Sequence, residues 1–217
     1  MKLLVLGIAA ALLVGCAATG SSAGRAAGSS AGRAAAIPGC PTSQPPALGA
    51  GERRTVTITT DLGTIVIAVS ADLSPIATGN FVALASCGFY DGVVFQRVVP
   101  GFVIQGGDGE FGRSPDIDPA RVGSGGPGYE IADEPVSATY ARGVVAMARS
   151  RQPNSQGSQF FIILDDSAAD LAGTGQHLRD PRHGDAAGMD VADKIAAAAD
   201  RELPSQPVVM TDVSVKP

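Results

Sequence analysis

The sequence predicts a mainly β domain, a closed antiparallel barrel with a helix at each end, preceded by an N-terminal export segment. Three observations predict this: many short β-branched apolar runs, two helix-like segments, and a small-residue-rich first fifty residues. At 217 residues the chain can form one domain with a substantial core. The formal net charge of −5 and the pI near 4.9 argue against a nucleic-acid partner, which would need a basic face.

Residues 1–15 have the layout of a secretory signal peptide. Lys2 precedes an apolar run, Leu3–Val14, that is shorter than the roughly 20 residues of a spanning helix. The run leads into Leu-Val-Gly-Cys at Cys16, which resembles the lipobox of bacterial lipoproteins. That resemblance implies cleavage before Cys16, lipidation of its thiol, and anchoring to the outer face of the bacterial cytoplasmic membrane, in the cell envelope. The alternative is an ordinary signal peptide with an incidental cysteine.

Residues 16–51 predict a flexible tether, because Ala, Gly, Ser and Pro dominate them and bury too little apolar surface to fold. The domain then occupies residues 52–217. With Cys16 assigned to the anchor, Cys40 and Cys87 remain. In an oxidising compartment they would form a disulfide between tether and domain, and the alternative is two separate thiols.

The elements of the domain follow in order along the chain. Two β-branched runs around Asp61-Leu62-Gly63 predict a hairpin. Ser74 as N-cap, Pro75 in the first turn and Gly88 after the last turn predict a helix. Asp190 is the expected cap of a second, short helix. The remaining strands are predicted at residues 93–99, 102–107, 143–149, 159–164 and 206–215.

One cation lies inside an otherwise apolar stretch, "FQRVVPGFVIQGGD", that ends at Asp108. Since a buried unpaired charge is costly, Arg97 needs a partner or a task there. This stretch and "PNSQGSQFFI", Pro153–Ile162, closely resemble the two signature blocks of the cyclophilins. The match extends over roughly residues 53–215, and "GSGGPGYEIADE" between the blocks fits it too. The resemblance implies an eight-stranded barrel with two helices and peptidyl-prolyl cis-trans isomerase activity.

Rotation about an X–Pro bond suits the residues of these blocks. The barrier of about 18–20 kcal/mol is amide resonance, so the reaction needs no nucleophile, metal or cofactor. Twisting the amide leaves a lone pair on the prolyl nitrogen, to which a fixed guanidinium can donate while a dry apolar pocket holds the ring. The resemblance assigns that donor role to Arg97. The alternative for Arg97 is a surface ion pair.

Further site residues follow from positions that match the family. Gln105 aligns with a glutamine that orients the arginine and the substrate backbone, and Phe102 completes the catalytic set. The residues that align with the proline pocket and the peptide groove are Val103, Gly125, Ala148, Arg149, Gln159, Phe161 and Leu171. The alternative for Phe102, Val103 and Phe161 is plain barrel core. The expected partners are proline-containing polypeptides, and the expected oligomeric state is a monomer.

The sequence departs from the family at several positions. Gln96 replaces the usual histidine before the arginine, which should cost little because no base is needed. Asp170 stands where the groove tryptophan is usual, so cyclosporin-type binding is not implied. The stretch 177–187 is charged and contains a proline, which argues against a buried strand and predicts a barrel with one disrupted strand. Its histidines, His177 and His183, match no metal-ligand spacing, so no metal site is expected.

Two explanations of residues 177–187 remain open. A compensated shift of reading frame across these codons would restore a Tyr-x-x-Leu-Gly-like strand. Alternatively the protein is made as written and leaves an exposed sheet edge. The leading functional prediction is a membrane-tethered prolyl isomerase that accelerates the folding of exported proteins. The alternative is a cyclophilin-fold module that binds proline peptides, or a chaperone, with little turnover.

Overall fold

The computed structural model describes residues 37–135, 140–166, 176–177 and 188–217, which form a mainly β architecture with two helices. The helices are α1 (Pro75–Ser86) and α2 (Met189–Ala198). The strands are β1 (Arg53–Thr60), β2 (Gly63–Ser70), β3 (Arg97–Val99), β4 (Val103–Gly106), β5 (Val145–Met147), β6 (Phe160–Ile163), β7 (Gln176–His177) and β8 (Asp212–Lys216). No helix within these ranges is long and apolar enough to cross a membrane.

The first sheet has three antiparallel strands in the order β2-β1-β8. Its centre is the predicted hairpin, in which Thr60 pairs with Gly63. The Thr60 hydroxyl donates to the Gly63 carbonyl at 2.9 Å and accepts from the Leu62 N–H at 3.1 Å, which closes the turn. Alternate residues of β1 and β2 are buried against α1, as the period-2 pattern predicts.

The second sheet has five antiparallel strands in the order β3-β4-β6-β5-β7. Its two faces meet different surroundings. Residues such as Ile104 and Ile162 lie in the main core, together with Phe81, Tyr90 and Phe160, whose rings pack edge-on or tilted. The alternate residues of β4, β5 and β6 belong to a second, smaller apolar cluster. The five-stranded sheet therefore has an inner face and an outer face, and both carry apolar side chains.

The closed barrel expected from the sequence is not what the described residues form. Two sheets take its place, and one isolated bridge, Val94 opposite Val209, links the chain before β3 with the chain before β8. The Phe95 N–H donates to the Val208 carbonyl at 3.0 Å, and the Met210 N–H donates to the Val93 carbonyl at 2.8 Å. These segments are thus joined by separate hydrogen bonds and not by a continuous ladder. The two sheets are therefore not continuous with each other where a barrel would close.

A short strand forms at the start of the stretch for which the sequence argued against one. Gln176–His177 pairs with Met147 and Ala146 of β5. The objection concerned a buried strand, whereas β7 is the edge of the sheet and needs a hydrogen-bonding neighbour on one side only. The rest of the stretch, residues 178–187 with His183, lies outside the described residues.

The N-terminal ends of both helices are capped differently from the prediction, although α1 begins at Pro75 as expected. The Ser74 side chain makes no capping hydrogen bond in α1. The Glu134 carboxylate caps this helix instead, accepting from the Ile76 N–H at 2.8 Å and the Ala77 N–H at 2.9 Å. Helix α2 has Gly188 at its N-cap, and Asp190 lies within the first turn. An acidic residue there still interacts favourably with the helix dipole.

Residues 37–51, which the sequence assigned to the tether, lie against the domain. Cys40 and Cys87 form a disulfide, and the Leu48 N–H donates to the Pro75 carbonyl at 3.1 Å. The segment also runs so close to α1 that a Cβ on Gly79 would lie 2.5 Å from the Pro46 carbonyl oxygen. Glycine is thus required at this helix position, and residues 37–51 pack on the domain.

We expect the Cys40→Ser/Cys87→Ser double variant to have a free energy of unfolding lower by about 2–4 kcal/mol, because the crosslink restricts the unfolded chain over a long loop. The two cysteines are 47 residues apart. Urea unfolding of the oxidised wild type and of the variant measures the difference. Dithiothreitol should reduce wild-type stability to that of the variant and leave the variant unchanged. Equal stabilities without reductant would contradict this role.

Candidate active site

A row of paired residues crosses the five-stranded sheet and brings three predicted site residues together. Arg97 of β3 lies opposite Gln105 of β4, Gln105 lies opposite Phe161 of β6, and Phe161 lies opposite Ala146 of β5. Directly opposite residues in antiparallel strands project from the same face. Because Phe161 and Ala146 belong to the smaller cluster, this row lies on the outer face of the sheet.

The smaller apolar cluster lies beside this row and contains predicted pocket residues. Its buried members are Val103, Tyr140, Val144, Ala146, Phe161 and Ile163, and Phe102, Ala141 and Ala148 pack against it. Phe102, Val103 and Phe161 therefore belong to an apolar cluster that is distinct from the main core. Leu171 lies outside the described residues.

Tyr140 is a member of this cluster that the sequence analysis missed. Its ring stacks on that of Phe161, with centroids 6.2 Å apart and planes at 11°. Phe161 lies in β6, whereas Tyr140 comes before β5, so no local sequence pattern indicates their contact. An aromatic three residues before the predicted strand at 143 was the only available signal.

Arg97 lies at the open end of the row and forms an ion pair. Its Nε donates to Glu202 Oε1 at 2.6 Å, and the two side chains are 39% and 64% exposed. Within the described part of the chain, neither terminal guanidinium nitrogen donates a hydrogen bond. The surface ion pair, which the sequence left as the alternative for Arg97, is thus present. It engages one end of the guanidinium and leaves the other end for a ligand.

Three glutamine side chains form a directional network beside Arg97. Gln159 Nε2 donates to the carbonyl oxygens of Gly123 and Gly125, at 2.9 and 2.8 Å. Its Oε1 accepts from Gln96 Nε2 at 2.8 Å and from Gln105 Nε2 at 2.9 Å. The two carbonyls fix the orientation of the Gln159 amide, so Gln105 must present its nitrogen to it. The Gln105 oxygen is then directed elsewhere and can accept from a substrate N–H.

Gln96 has a larger role than the sequence analysis gave it. It is buried, and its Oε1 has no hydrogen-bond partner among the described residues. Its Nε2 supplies the second donor to Gln159. A side chain expected to matter little therefore helps to orient the amide network of the site.

Asp108 holds the loop that carries Gly123 and Gly125. This carboxylate is fully buried. Its Oδ2 accepts from the N–H groups of Gly123 and Gly125 at 2.7 and 3.0 Å, and its Oδ1 accepts from those of Glu110 and Phe111 at 3.1 and 2.9 Å. A Cβ on Gly125 would lie 2.4 Å from Asp108 Oδ1, so only glycine fits. Burial and the Asp108 charge raise the pKa of Glu110.

Arg149 and Ala148 extend from β5 toward the loop that follows. Ala148 donates its N–H to the Gln159 carbonyl at 2.8 Å, which holds it beside the glutamine network. Arg149 forms an ion pair with Asp133 at 3.3 Å and donates to the Gln152 carbonyl at 3.1 Å. Arg149 thus links the loop after β5 to Asp133. Within the described ranges, no group of three or more His, Cys, Asp or Glu residues could hold a metal ion.

Comparison with known proteins agrees with this geometry. Residues 55–215 match the family model for cyclophilin type peptidyl-prolyl cis-trans isomerase/CLD. The peptidyl-prolyl cis-trans isomerase A of Dickeya dadantii is 33% identical over 188 residues, which cover 80% of this chain and 90% of that protein. A probable peptidyl-prolyl cis-trans isomerase of Brucella abortus is 41% identical over 126 residues. That match covers 55% of this chain and 62% of the Brucella protein.

Solved structures match as well. The crystal structure of a Cryptosporidium parvum cyclophilin type peptidyl-prolyl cis-trans isomerase has a TM-score of 0.58 at 27% identity, covering 76% of this chain and 99% of that one. A structure of the same protein in the presence of the dipeptide Ala-Pro has a TM-score of 0.56, also at 27% identity, covering 75% and 99%. Because residues 55–215, most of this chain, match the family model, the chain belongs to the cyclophilin-type peptidyl-prolyl cis-trans isomerase family.

Proposed function

We propose that this chain catalyses the cis–trans isomerisation of X–Pro peptide bonds, with Arg97 as the hydrogen-bond donor to the prolyl nitrogen. The observation that supports this most directly is the row of Arg97, Gln105 and Phe161 beside an apolar cluster whose outer members are only partly buried. Relatives from the same family have names that state this activity. The related structure determined in the presence of Ala-Pro supports a proline-containing substrate.

The arrangement supplies what the reaction needs. The apolar cluster around Phe102, Val103 and Phe161 can hold the prolyl ring and exclude water. A terminal nitrogen of Arg97 can donate to the lone pair that develops on the prolyl nitrogen as the amide twists. This interaction is stronger in the transition state than in the planar ground state, so it accelerates rotation. Gln105 Oε1, the free end of its amide, can accept a substrate N–H and hold the peptide backbone.

The experiment that tests this proposal is a protease-coupled isomerisation assay on a proline tetrapeptide with the wild type and Arg97→Ala. We expect a wild-type rate well above the uncatalysed rotation and a large loss in the variant. Equally slow rates for the two proteins, both close to the uncatalysed rotation and with peptide binding retained, would favour a proline-peptide binding module instead.

We also propose that the protein is exported, lipidated at Cys16 and tethered to the cell envelope, where it would act on newly exported chains. The lipobox-like Leu13–Cys16 supports this, and the Cys40–Cys87 disulfide suits an oxidising compartment. In a bacterial host, radiolabelled palmitate should label the wild type, and the labelled protein should sediment with the membrane fraction. Cys16→Ser should lose the label and leave the membrane fraction, whereas Cys40→Ser should keep both. Label retained by Cys16→Ser would contradict the anchor.

A further inference from the structure

The loop that follows α2 places Glu202 beside β3. Two hydrogen bonds between Asp200 and Ser205 join the ends of this loop: Asp200 Oδ1 accepts from the Ser205 N–H at 2.9 Å, and Asp200 Oδ2 accepts from the Ser205 hydroxyl at 2.7 Å. These two hydrogen bonds hold the pKa of Asp200 below its usual range. Midway along the loop, the Glu202 carbonyl accepts from the Val98 N–H of β3 at 2.8 Å. The backbone of Glu202 is thus fixed relative to the strand that carries Arg97.

The side chain of Glu202 meets Arg97 at a particular atom. The contact of 2.6 Å joins Glu202 Oε1 to Nε, the guanidinium nitrogen nearest the main chain. Arginine has five N–H donors in a rigid planar fork, and this contact uses only the one on Nε. The four donors on the terminal nitrogens make no hydrogen bond to the residues that the structure describes. An exposed arginine samples many rotamers, and a carboxylate bound to Nε restricts the direction of the fork.

We propose that Glu202 is a positioning residue of the active site, holding Arg97 through Nε so that the terminal nitrogens face the prolyl nitrogen. This inference rests on the proposed function of Arg97. Because the pair is exposed at both ends, it contributes little to stability, and its effect is on the orientation of the donor. The alternative is that the Glu202 carboxylate competes with substrate for the guanidinium. Removal of the carboxylate should lower the rate if Glu202 positions Arg97 and raise it if Glu202 competes with substrate.

The test compares Glu202→Ala and Glu202→Gln with a matched control. The Arg142–Asp193 pair has a contact of 2.7 Å and exposed fractions of 40% and 52%, close to those of the Arg97–Glu202 pair. We expect Glu202→Ala to lower kcat/KM about 5-fold, because misorientation of a donor costs rate without loss of binding. Glu202→Gln keeps an acceptor oxygen and should recover part of the loss. Asp193→Ala should change kcat/KM less than about 1.5-fold, because Asp193 lies on α2 and its partner Arg142 is not part of the row that carries Arg97.

Two further measurements distinguish positioning from a structural effect. The affinity for a proline peptide, measured by calorimetry, and the unfolding midpoint should be unchanged in both Glu202 variants. In an Arg97→Ala background, Glu202→Ala should cause no additional loss, because Glu202 acts only through the guanidinium of Arg97. An unchanged or increased kcat/KM for Glu202→Ala, while Arg97→Ala is impaired, would overturn the role of Glu202 alone. Full activity of Arg97→Ala would overturn the donor role of Arg97 in the proposed function, and the role of Glu202 with it.

Discussion

Arg97→Ala is expected to lower kcat/KM for a proline tetrapeptide by about 100-fold or more, the loss typical when a preorganised donor to a developing lone pair is removed. The reason is that, of the three residues in the row, Arg97 alone has a charged hydrogen-bond donor. Gln105 and Phe161 beside it are uncharged and cannot replace the guanidinium at the prolyl nitrogen. The coupled assay measures the loss, and urea unfolding should show that the variant is folded, because the side chain is partly exposed.

The controls for Arg97 test charge and location separately. Arg97→Lys keeps the charge but has no planar fork, so it should recover little of the rate. Arg54→Ala removes another exposed arginine of an ion pair, on β1 in the other sheet, and should leave the rate unchanged. Near-wild-type activity of Arg97→Ala would show that the apolar cluster and the glutamine network suffice, and the donor mechanism would then be abandoned.

The second large effect is on stability, at Asp108. Asp108→Ala should lower the free energy of unfolding by about 3–5 kcal/mol, since four backbone N–H groups lose their acceptor and each unsatisfied group costs about 1–3 kcal/mol before the loop relaxes toward water. The residue is fully buried, and the carboxylate joins two separate chain segments, 110–111 and 123–125. Urea unfolding measures this loss.

Asp108→Ala should also lower the isomerase activity, even under conditions where the variant is fully folded. The carbonyls of Gly123 and Gly125 orient Gln159, so a displaced loop would release the amide network beside Arg97. Asp118→Ala is the matched control, because that exposed carboxylate in the same region accepts from the Ala120 N–H and from Arg121. It should destabilise far less. Equal effects of the two substitutions would argue against the role of Asp108.

Much of the site could be predicted from sequence because its residues lie in two contiguous motifs. The family blocks locate Arg97 on β3, Gln105 on β4 and Phe161 on β6, and the period-2 alternation of a strand separates inner from outer residues. Tyr140 and Glu202 were missed because their contacts join segments far apart in the chain. The pairing of Arg97 with Glu202 spans 105 residues, and no local pattern encodes it.

The caps of α1 show the same limit. Ser74 followed by Pro75 is a local signal for a helix start, and the helix does begin at Pro75. The group that satisfies its free N–H donors is nonetheless the carboxylate of Glu134, 58 residues from Ile76. Local propensity determines where a helix is favourable, whereas any acceptor that tertiary packing brings close can satisfy its end.

By itself the sequence determined the family, the strand and helix segments, and the residue types of the reaction, because these depend on periodicity and on contiguous motifs. Only the tertiary structure decided that two sheets form instead of a continuous barrel, that residues 37–51 pack on the domain, and that Glu202 holds Arg97. The physical reason is that these features depend on which distant segments come within hydrogen-bonding distance. That choice is made by burial of the whole chain and not by any one segment.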